Sequence, residues 1–309
     1  MSPFQLNRST YRGRFAPSPT GPLHFGSLVS AVGSYLQARK QNGQWLLRID
    51  DIDPPREQKG AVKHIIKTLD HYGFEWDEEI LYQSQRYDFY QNALEQLVDK
   101  NHCFSCQCSR KNIQYHVEKL DANPHIYPGT CRNRPAKNSS TDAIRIKSIH
   151  QHIRFKDLLQ GDQCVGLADE IGDFIIRRSD GLYAYQLATT VDDAEQAITE
   201  VVRGSDLLSS TPHQYYLQQL LGYSHPSYLH LPLVINIEGE KLSKQTFAKA
   251  IEPEDATTNL TLALQFLGQN PDSELSKAST EDIWLWAIEH WQVHSIPPHS
   301  HSMIESPHG

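Results

Sequence analysis

The sequence predicts an α/β fold that opens on a strand–helix–strand unit. Three observations carry this expectation. Residues 11–15 read as a short strand, Leu28, Val32, Tyr35 and Leu36 recur at helical spacing, and Trp45-Leu46-Leu47-Arg48-Ile49 reads as a buried strand. Between the first strand and the helix runs Arg14-Phe15-Ala16-Pro17-Ser18-Pro19-Thr20-Gly21-Pro22-Leu23-His24-Phe25-Gly26-Ser27. Pro17 and Pro19 hold this segment extended, while Gly21 and Gly26 let the backbone approach a ligand closely. His24-Phe25-Gly26-Ser27 stands at the helix entrance, with Ser27 as the expected N-cap. The free N–H groups of a helix N-terminus suit a phosphate, and His24 can donate to its oxygens.

Helical periodicity returns over 60–73 (Val62, Ile65, Ile66, Leu69) and 87–98 (Tyr90, Leu94, Leu97, Val98). Residues 102–136 break the pattern with Cys, Asn, Pro and Gly, and read as an insertion folded around something other than an apolar core. Strand-like runs follow at 143–147, 174–178, 183–188 and 198–203, then a helix at 211–221 and a strand at 229–235. Helices near 256–268 and 281–291 come last, and the segment from Ile296, with Pro297-Pro298 and several His and Ser, reads as a disordered tail. No internal repeat is visible.

At 309 residues the chain can bury a full core, and it fits one catalytic unit with subdomains. A hydrophobic content of 39% and a charged content of 21% match a soluble globular protein. No run of about 18 apolar residues exists, so no membrane span is expected. The first residues, Met1-Ser2-Pro3-Phe4-Gln5-Leu6-Asn7-Arg8, lack the apolar stretch of a signal peptide, so a cytoplasmic location is expected. Nothing calls for an obligate dimer, and a monomer is expected. The net charge of −8 disfavours a broad nucleic-acid surface, because phosphate contacts reward Lys and Arg; a local basic patch stays compatible with it.

The five cysteines fit a metal site in a reducing compartment better than a disulfide framework. Cys103, Cys106, Cys108 and Cys131 offer Cys-x2-Cys, Cys-x-Cys and a distant fourth sulfur, a set that suits tetrahedral zinc; Cys164 stands apart.

Late in the chain, Lys241-Leu242-Ser243-Lys244-Gln245 follows Gly239 and the apolar run Leu231-Pro232-Leu233-Val234-Ile235. A Lys-x-Ser-Lys tetrad alone is most often a solvated basic turn. Together with the first motif, however, it resembles the paired ATP-binding signatures of class I aminoacyl-tRNA synthetases, and the residues between resemble the glutamyl branch. The resemblance implies a Rossmann-type nucleotide-binding fold with an inserted zinc-containing subdomain and a short helical C-terminal region. On this division 1–102 and 186–250 form the two halves of the catalytic core. Residues 103–185 form the insertion, which resembles an acceptor-binding subdomain, and 251–309 the helical end with its tail. It also implies ATP contacts from His24, Gly26, Ser27 and Lys244, catalytic roles for His24, Lys241 and Lys244, and Mg2+ entering with ATP. Gln245 stands where the pattern usually ends in Ser.

An amino acid with two carboxylates needs cationic partners, for which arginine is the preferred fork, and its ammonium needs an anion. Arg203 lies in Glu200-Val201-Val202-Arg203-Gly204-Ser205-Asp206, which resembles the glutamyl family's segment after Val-Val-Asp-Asp. Tyr185 lies in Tyr183-Ala184-Tyr185-Gln186-Leu187-Ala188, which resembles the family's pocket tyrosine. By this resemblance Arg14, Phe15, Ala16, Pro17, Ser18, Tyr185 and Arg203 line a glutamate site. In Arg48-Ile49-Asp50-Asp51-Ile52-Asp53 the family has Glu where Asp50 stands, and that carboxylate meets the substrate ammonium. Asp keeps the charge one methylene shorter, so the contact lengthens or passes through water. The plainer reading of this stretch is an acidic loop capping a helix near Arg56.

For the insertion, the resemblance points to Cys106, Cys108, Tyr127 and Cys131 as ligands of one structural Zn2+, with Cys103 or His125 competing for the place of Tyr127. Pro54-Pro55-Arg56-Glu57, the Lys-Leu-Ser-Lys-Gln loop and the short remainder from Thr246 to Gly309 resemble the glutamyl-queuosine tRNA(Asp) synthetase family. These are paralogues of glutamyl-tRNA synthetase without an anticodon-binding domain. The implied partners are ATP, L-glutamate and queuosine-containing tRNA(Asp), with glutamate activated as its adenylate and transferred to the queuosine base in the anticodon loop. The alternative is a compact glutamyl-tRNA synthetase charging the tRNA 3′ end.

Overall fold

The apolar runs at the start of the chain pair as expected. Strand β1 (Arg12–Phe15) lies parallel to β2 (Gln44–Ile49), with Phe15 beside Leu47, and helix α1 (Phe25–Lys40) connects them. The computed structural model describes residues 11–120, 123–136, 141–235 and 250–299. Helix α2 (Ala61–His71) buries Ile65 and Leu69 and exposes Lys63 and Lys67, the pattern of a helix laid on a sheet. It leads to β3 (Asp77–Tyr82), which adds in parallel to the other edge of β2.

Helix α3 (Tyr87–Asp99), strand β4 (Cys103–Cys106) and helix α4 (Arg110–Leu120) follow. Strands β4, β5 (Ala143–Ile146) and β8 (Ile175–Arg177) form a small antiparallel sheet. Between β5 and β8 runs a hairpin of β6 (His152–Asp157) and β7 (Gly161–Gly166). Helix α5 (Tyr185–Glu195) returns the chain to β9 (Glu200–Gly204), and helix α6 (Thr211–Leu221) leads to β10 (Ser227–Leu231). Strand β10 pairs in parallel with β9 over its length and touches β6 at Tyr228, giving the order β7-β6-β10-β9.

The two parallel groups meet between β1 and β9. Thr199 N–H donates to Arg12 O and Arg12 N–H to Thr199 Oγ1, both at 2.9 Å. Chain direction reverses its order across this seam: β2 and β3 lie on one side of β1, β9 and β10 on the other. In open α/β sheets the crevice at the carboxyl ends of such strands is where ligands bind.

Helices α7 (Ala256–Phe266) and α8 (Thr280–His290) cover the far side of α1. Tyr35, Trp45, Phe74 and Trp284 pack edge-to-face and stacked at 4.7–5.4 Å between centroids, and Trp284 Nε1 donates to Tyr72 O at 2.9 Å. Covered on both sides, α1 is buried from Ala31 to Ala38, and a Cβ at Gly33 would stand 2.5 Å from Leu231.

Four expectations change. Residues 183–188 are not a strand: only an isolated Arg177–Tyr183 bridge forms, and from Tyr185 the chain is helical because Leu187, Ala188 and Val191 share one buried face. Ser27 lies inside the first turn of α1, and the N-cap is His24. Near Arg56 the chain makes only a single 3-10 turn, Pro54–Arg56, and Asp53 gives it no side-chain cap. Ile296 is 2% exposed in the core under α7 and α8, so the expected tail begins within the packed chain; its remainder from 300 lies outside the described residues. Among the described residues no helix is long and apolar enough to cross a membrane.

Candidate active site

A cavity of about 790 Å³ opens at the carboxyl ends of β1, β2, β9 and β10. Its walls include Arg14, Phe15, Ala16, Pro17, Ser18, His24, Gly26, Ser27, Asp50, Tyr185 and Arg203. The structure thus brings together every expected substrate residue that falls within the described chain. Lys241 and Lys244 lie outside the described residues. The chain on either side of 236–249 borders the cavity: Leu233 and Val234 line it, and Ala250 forms a bridge with His24.

The floor is a buried charge cluster built on two adjacent aspartates of α5. Asp193 takes Arg14 through both oxygens, Nε at 3.0 Å and Nη2 at 3.2 Å, and Arg48 Nη1 at 2.7 Å. Arg48, 0% exposed, turns its Nε to Asp50 Oδ1 at 2.8 Å. Asp192 receives Gln83 Nε2 at 2.7 Å, Arg86 Nε at 2.6 Å and Tyr90 Oη at 2.8 Å. Burial opposes the charge on Asp193, but Arg14 and Arg48 outweigh it and hold that carboxyl below the usual range. Asp50 has the opposite outcome: burial dominates, only partly offset by Arg48, and its pKa is pushed up to about 6.

Arg203 stands across the cavity, 5% exposed, in a neutral cradle. Its Nε donates to His230 Nε2 at 3.1 Å, Nη1 to Tyr185 Oη at 3.2 Å, and Nη2 to Thr211 Oγ1 at 2.9 Å and Leu207 O at 3.3 Å. His230 Nδ1 pairs with Asp157 Oδ2 at 2.6 Å, and this contact leaves Nε2 as an acceptor for Arg203. Burial lowers the pKa of His230, so the ring is neutral. Among the described residues Arg203 has no carboxylate partner; its cation is held by dipoles alone.

His24 caps α1 through its ring: Nδ1 accepts from Ser27 N–H at 3.3 Å. In the neutral ring the proton therefore sits on Nε2, which makes His24 a donor. Gly21 precedes it at φ 147°, a conformation that glycine adopts without strain.

Away from the cavity, Cys106, Cys108 and Cys131 bring their sulfurs within 4.8 Å of one another. Tyr127 Oη lies 3.4 Å from Cys106 Sγ and 3.5 Å from Cys108 Sγ, and Cys108 Sγ lies 3.5 Å from Cys131 Sγ. Zinc with Zn–S bonds near 2.3 Å spaces its sulfurs ~3.8 Å apart, so this donor set has the dimensions of a tetrahedral site. Burial opposes ionisation of Cys131, yet hydrogen bonds from Tyr127 and the Gln107 backbone bring its thiol down to about 7, whereas burial pushes the neighbouring Cys108 thiol up to about 11. Cys103 packs in a separate apolar cluster and His125 is exposed, so neither joins this group.

Asp192, Asp193, Gln83, Asp157 and His230 were not singled out by the sequence reading. The one available signal was a pair of adjacent acids, Asp192-Asp193, inside the apolar periodicity of Leu187, Ala188 and Val191.

Fold and site together define a class I tRNA synthetase catalytic domain: residues 10–274 match the family described as tRNA synthetases class I (E and Q), catalytic domain. The glutamate-tRNA synthetase of Elizabethkingia anophelis has the same fold, with a TM-score of 0.77 at 24% identity over 96% of this chain and 68% of that one. The glutamyl-Q tRNA(Asp) synthetase of Dechloromonas aromatica (strain RCB) is 50% identical over 293 residues, 94% of this chain and 97% of the relative. That of Aromatoleum aromaticum is 49% identical over 287 residues, 93% of this chain and 90% of the relative. The chain belongs to the glutamyl-Q tRNA(Asp) synthetase family.

The buried cluster makes a stability prediction. Asp193→Ala leaves Arg14 and Arg48 without their shared anion and is expected to cost about 3–5 kcal/mol in urea unfolding. Glu274→Ala, which breaks the exposed pair with Lys277, is expected to cost under ~1 kcal/mol. Equal losses for the two variants would contradict the assignment.

Proposed function

We propose that this protein activates L-glutamate with ATP and transfers it to the queuosine base in the anticodon loop of tRNA(Asp). The observation that carries the reading is the charge pattern of the cavity. Asp50 is a buried anion with one oxygen on Arg48, and Arg203 is a buried cation held, among the described residues, by neutral groups only. An amino acid with an ammonium at one end and carboxylates to place satisfies both. Arg14, with two donors on Asp193, shapes the wall and adds positive potential. The names of the relatives support the choice of acceptor.

In the first transfer a glutamate carboxylate oxygen attacks the α-phosphorus of ATP, and pyrophosphate leaves. In the second, a hydroxyl of the queuosine cyclopentenediol attacks the mixed anhydride, and AMP leaves. The carboxylate is already a nucleophile at pH 7, so no enzyme nucleophile or base is assigned. This chain's own part is positioning and charge stabilisation. His24 Nε2–H and the first N–H groups of α1 face the phosphates, and Lys244, assisted by Lys241, meets them from the second signature. Mg2+ entering with ATP neutralises part of the triphosphate charge. Cys106, Cys108, Tyr127 and Cys131 hold one structural Zn2+ that keeps the 103–185 subdomain in shape. The protein acts in the cytoplasm as a monomer.

The deciding assay uses radiolabelled glutamate, ATP and tRNA(Asp) with or without queuosine. Label is expected in the anticodon loop of queuosine-containing tRNA alone; label at the 3′-terminal adenosine would falsify the transfer and favour a compact tRNA-charging enzyme. The state of Asp50 sets a pH dependence. Its ionised form meets the ammonium, so the KM for glutamate in ATP–pyrophosphate exchange is expected to be flat above pH 7. It should rise about tenfold for each pH unit below about 6. Asp50→Asn should be weak and lack this inflection. For the cysteine site, about one zinc per chain is expected by elemental analysis, and stripping it should lower the melting temperature. A zinc-free protein of unchanged Tm would count against the site.

A further inference from the structure

Gln83 is the first residue after β3, at the start of a single 3-10 turn, Gln83–Gln85. The parallel register sets Ile49 of β2 beside Tyr82 of β3. Asp50 and Gln83 are therefore the first residues beyond the paired ends of adjacent strands. Gln83 is 0% exposed and yet lines the cavity. Its Nε2 donates to Asp192 Oδ2, a carboxylate that also receives Arg86 and Tyr90. Because that carboxylate only accepts, the amide cannot turn round: the exchange would set Oε1 against Oδ2. Oε1 is thus aimed away from Asp192, and among the described residues it has no hydrogen-bond partner. A buried acceptor left unmet costs free energy, and the Asp192 contact does not require it, since a donor-only side chain would serve that carboxylate.

We infer that Gln83 Oε1 accepts a hydrogen bond from the α-ammonium of the amino-acid substrate, beside Asp50. This rests on the reading of the cavity as a glutamate site. An ammonium carries three N–H donors, and a single short carboxylate at position 50 does not saturate them. Asp50 supplies the opposite charge and Gln83 supplies a neutral acceptor of fixed direction. A dicarboxylic acid without the ammonium leaves both groups unmet, so the pair selects an amino acid over its deaminated analogue.

The test compares L-glutamate with glutarate, which has both carboxylates and no ammonium. ATP–pyrophosphate exchange gives the KM of glutamate and the inhibition constant of glutarate for the wild type, Gln83→Met and Gln83→Lys. The lysine variant keeps a donor for Asp192, so it preserves the cluster should the methionine variant fail to fold. Both variants are expected to raise the glutamate KM about tenfold or more, with glutarate inhibition not weakened. Equal weakening of the two ligands would assign Gln83 a structural role only, and an unchanged glutamate KM would remove it from the site. A wild type that gives no glutamate-dependent exchange would overturn the glutamate reading itself, whatever the variants do.

Discussion

Two adjacent carboxylates on one helix hold the site together. Asp193 and Asp192 of α5 project into the seam of the sheet. There they bind groups from β1 (Arg14), β2 (Arg48), the end of β3 (Gln83), its following turn (Arg86) and α3 (Tyr90). Buried ion pairs often add little net stability, because desolvation cancels much of the attraction, but each demands its partner once in place. The cluster therefore acts as a geometric constraint. It fixes where β1, β2 and β3 end relative to α5, and the cavity is the space those ends enclose.

The same cluster decides which charges remain for a ligand. Arg14 and Arg48 share Asp193, and Arg48 also takes one oxygen of Asp50, which leaves Asp50 only half paired. On the other side of β1, Arg203 sits in a cradle of Thr211, Tyr185, Leu207 O and a neutral His230 oriented by Asp157. Asp50 and Arg203 thus stand on strands flanking β1, two strand spacings or ~10 Å apart at the backbone, with side chains reaching inward. The proposed zwitterionic substrate would meet a preorganised anion and cation here. The aromatic packing of Trp284 against Tyr35 and Phe74 serves the site indirectly, since it clamps α1 and with it the capping ring of His24.

Much of this was legible in the sequence. The N-terminal strand–helix–strand unit, α3 and α6 follow from apolar spacing, because each presents one continuous buried face. The cavity-lining residues from Arg14 to Ser18, with Tyr185 and Arg203, were legible as motif words. What failed were short alternations. Residues 183–188 read as a strand, yet from Tyr185 they fold as the start of α5, because Leu187, Ala188 and Val191 need a common face. Strands β6 and β7 went unread because they carry few apolar residues and leave much of their polar surface exposed.

By itself the sequence determined the elements with strong local period, the glycine–proline segment before α1, the cysteine spacing and the family those words resemble. All of these depend on residues close together along the chain. Tertiary structure alone decided that Ser27 does not cap α1 and His24 does, that Tyr127 rather than Cys103 joins the three sulfurs, and that Arg14 faces Asp193 while Arg203 faces no carboxylate among the described residues. These are properties of side chains brought together from segments as far apart as residues 14 and 193, and the electrostatic state of a buried group depends on the partners that meet it there.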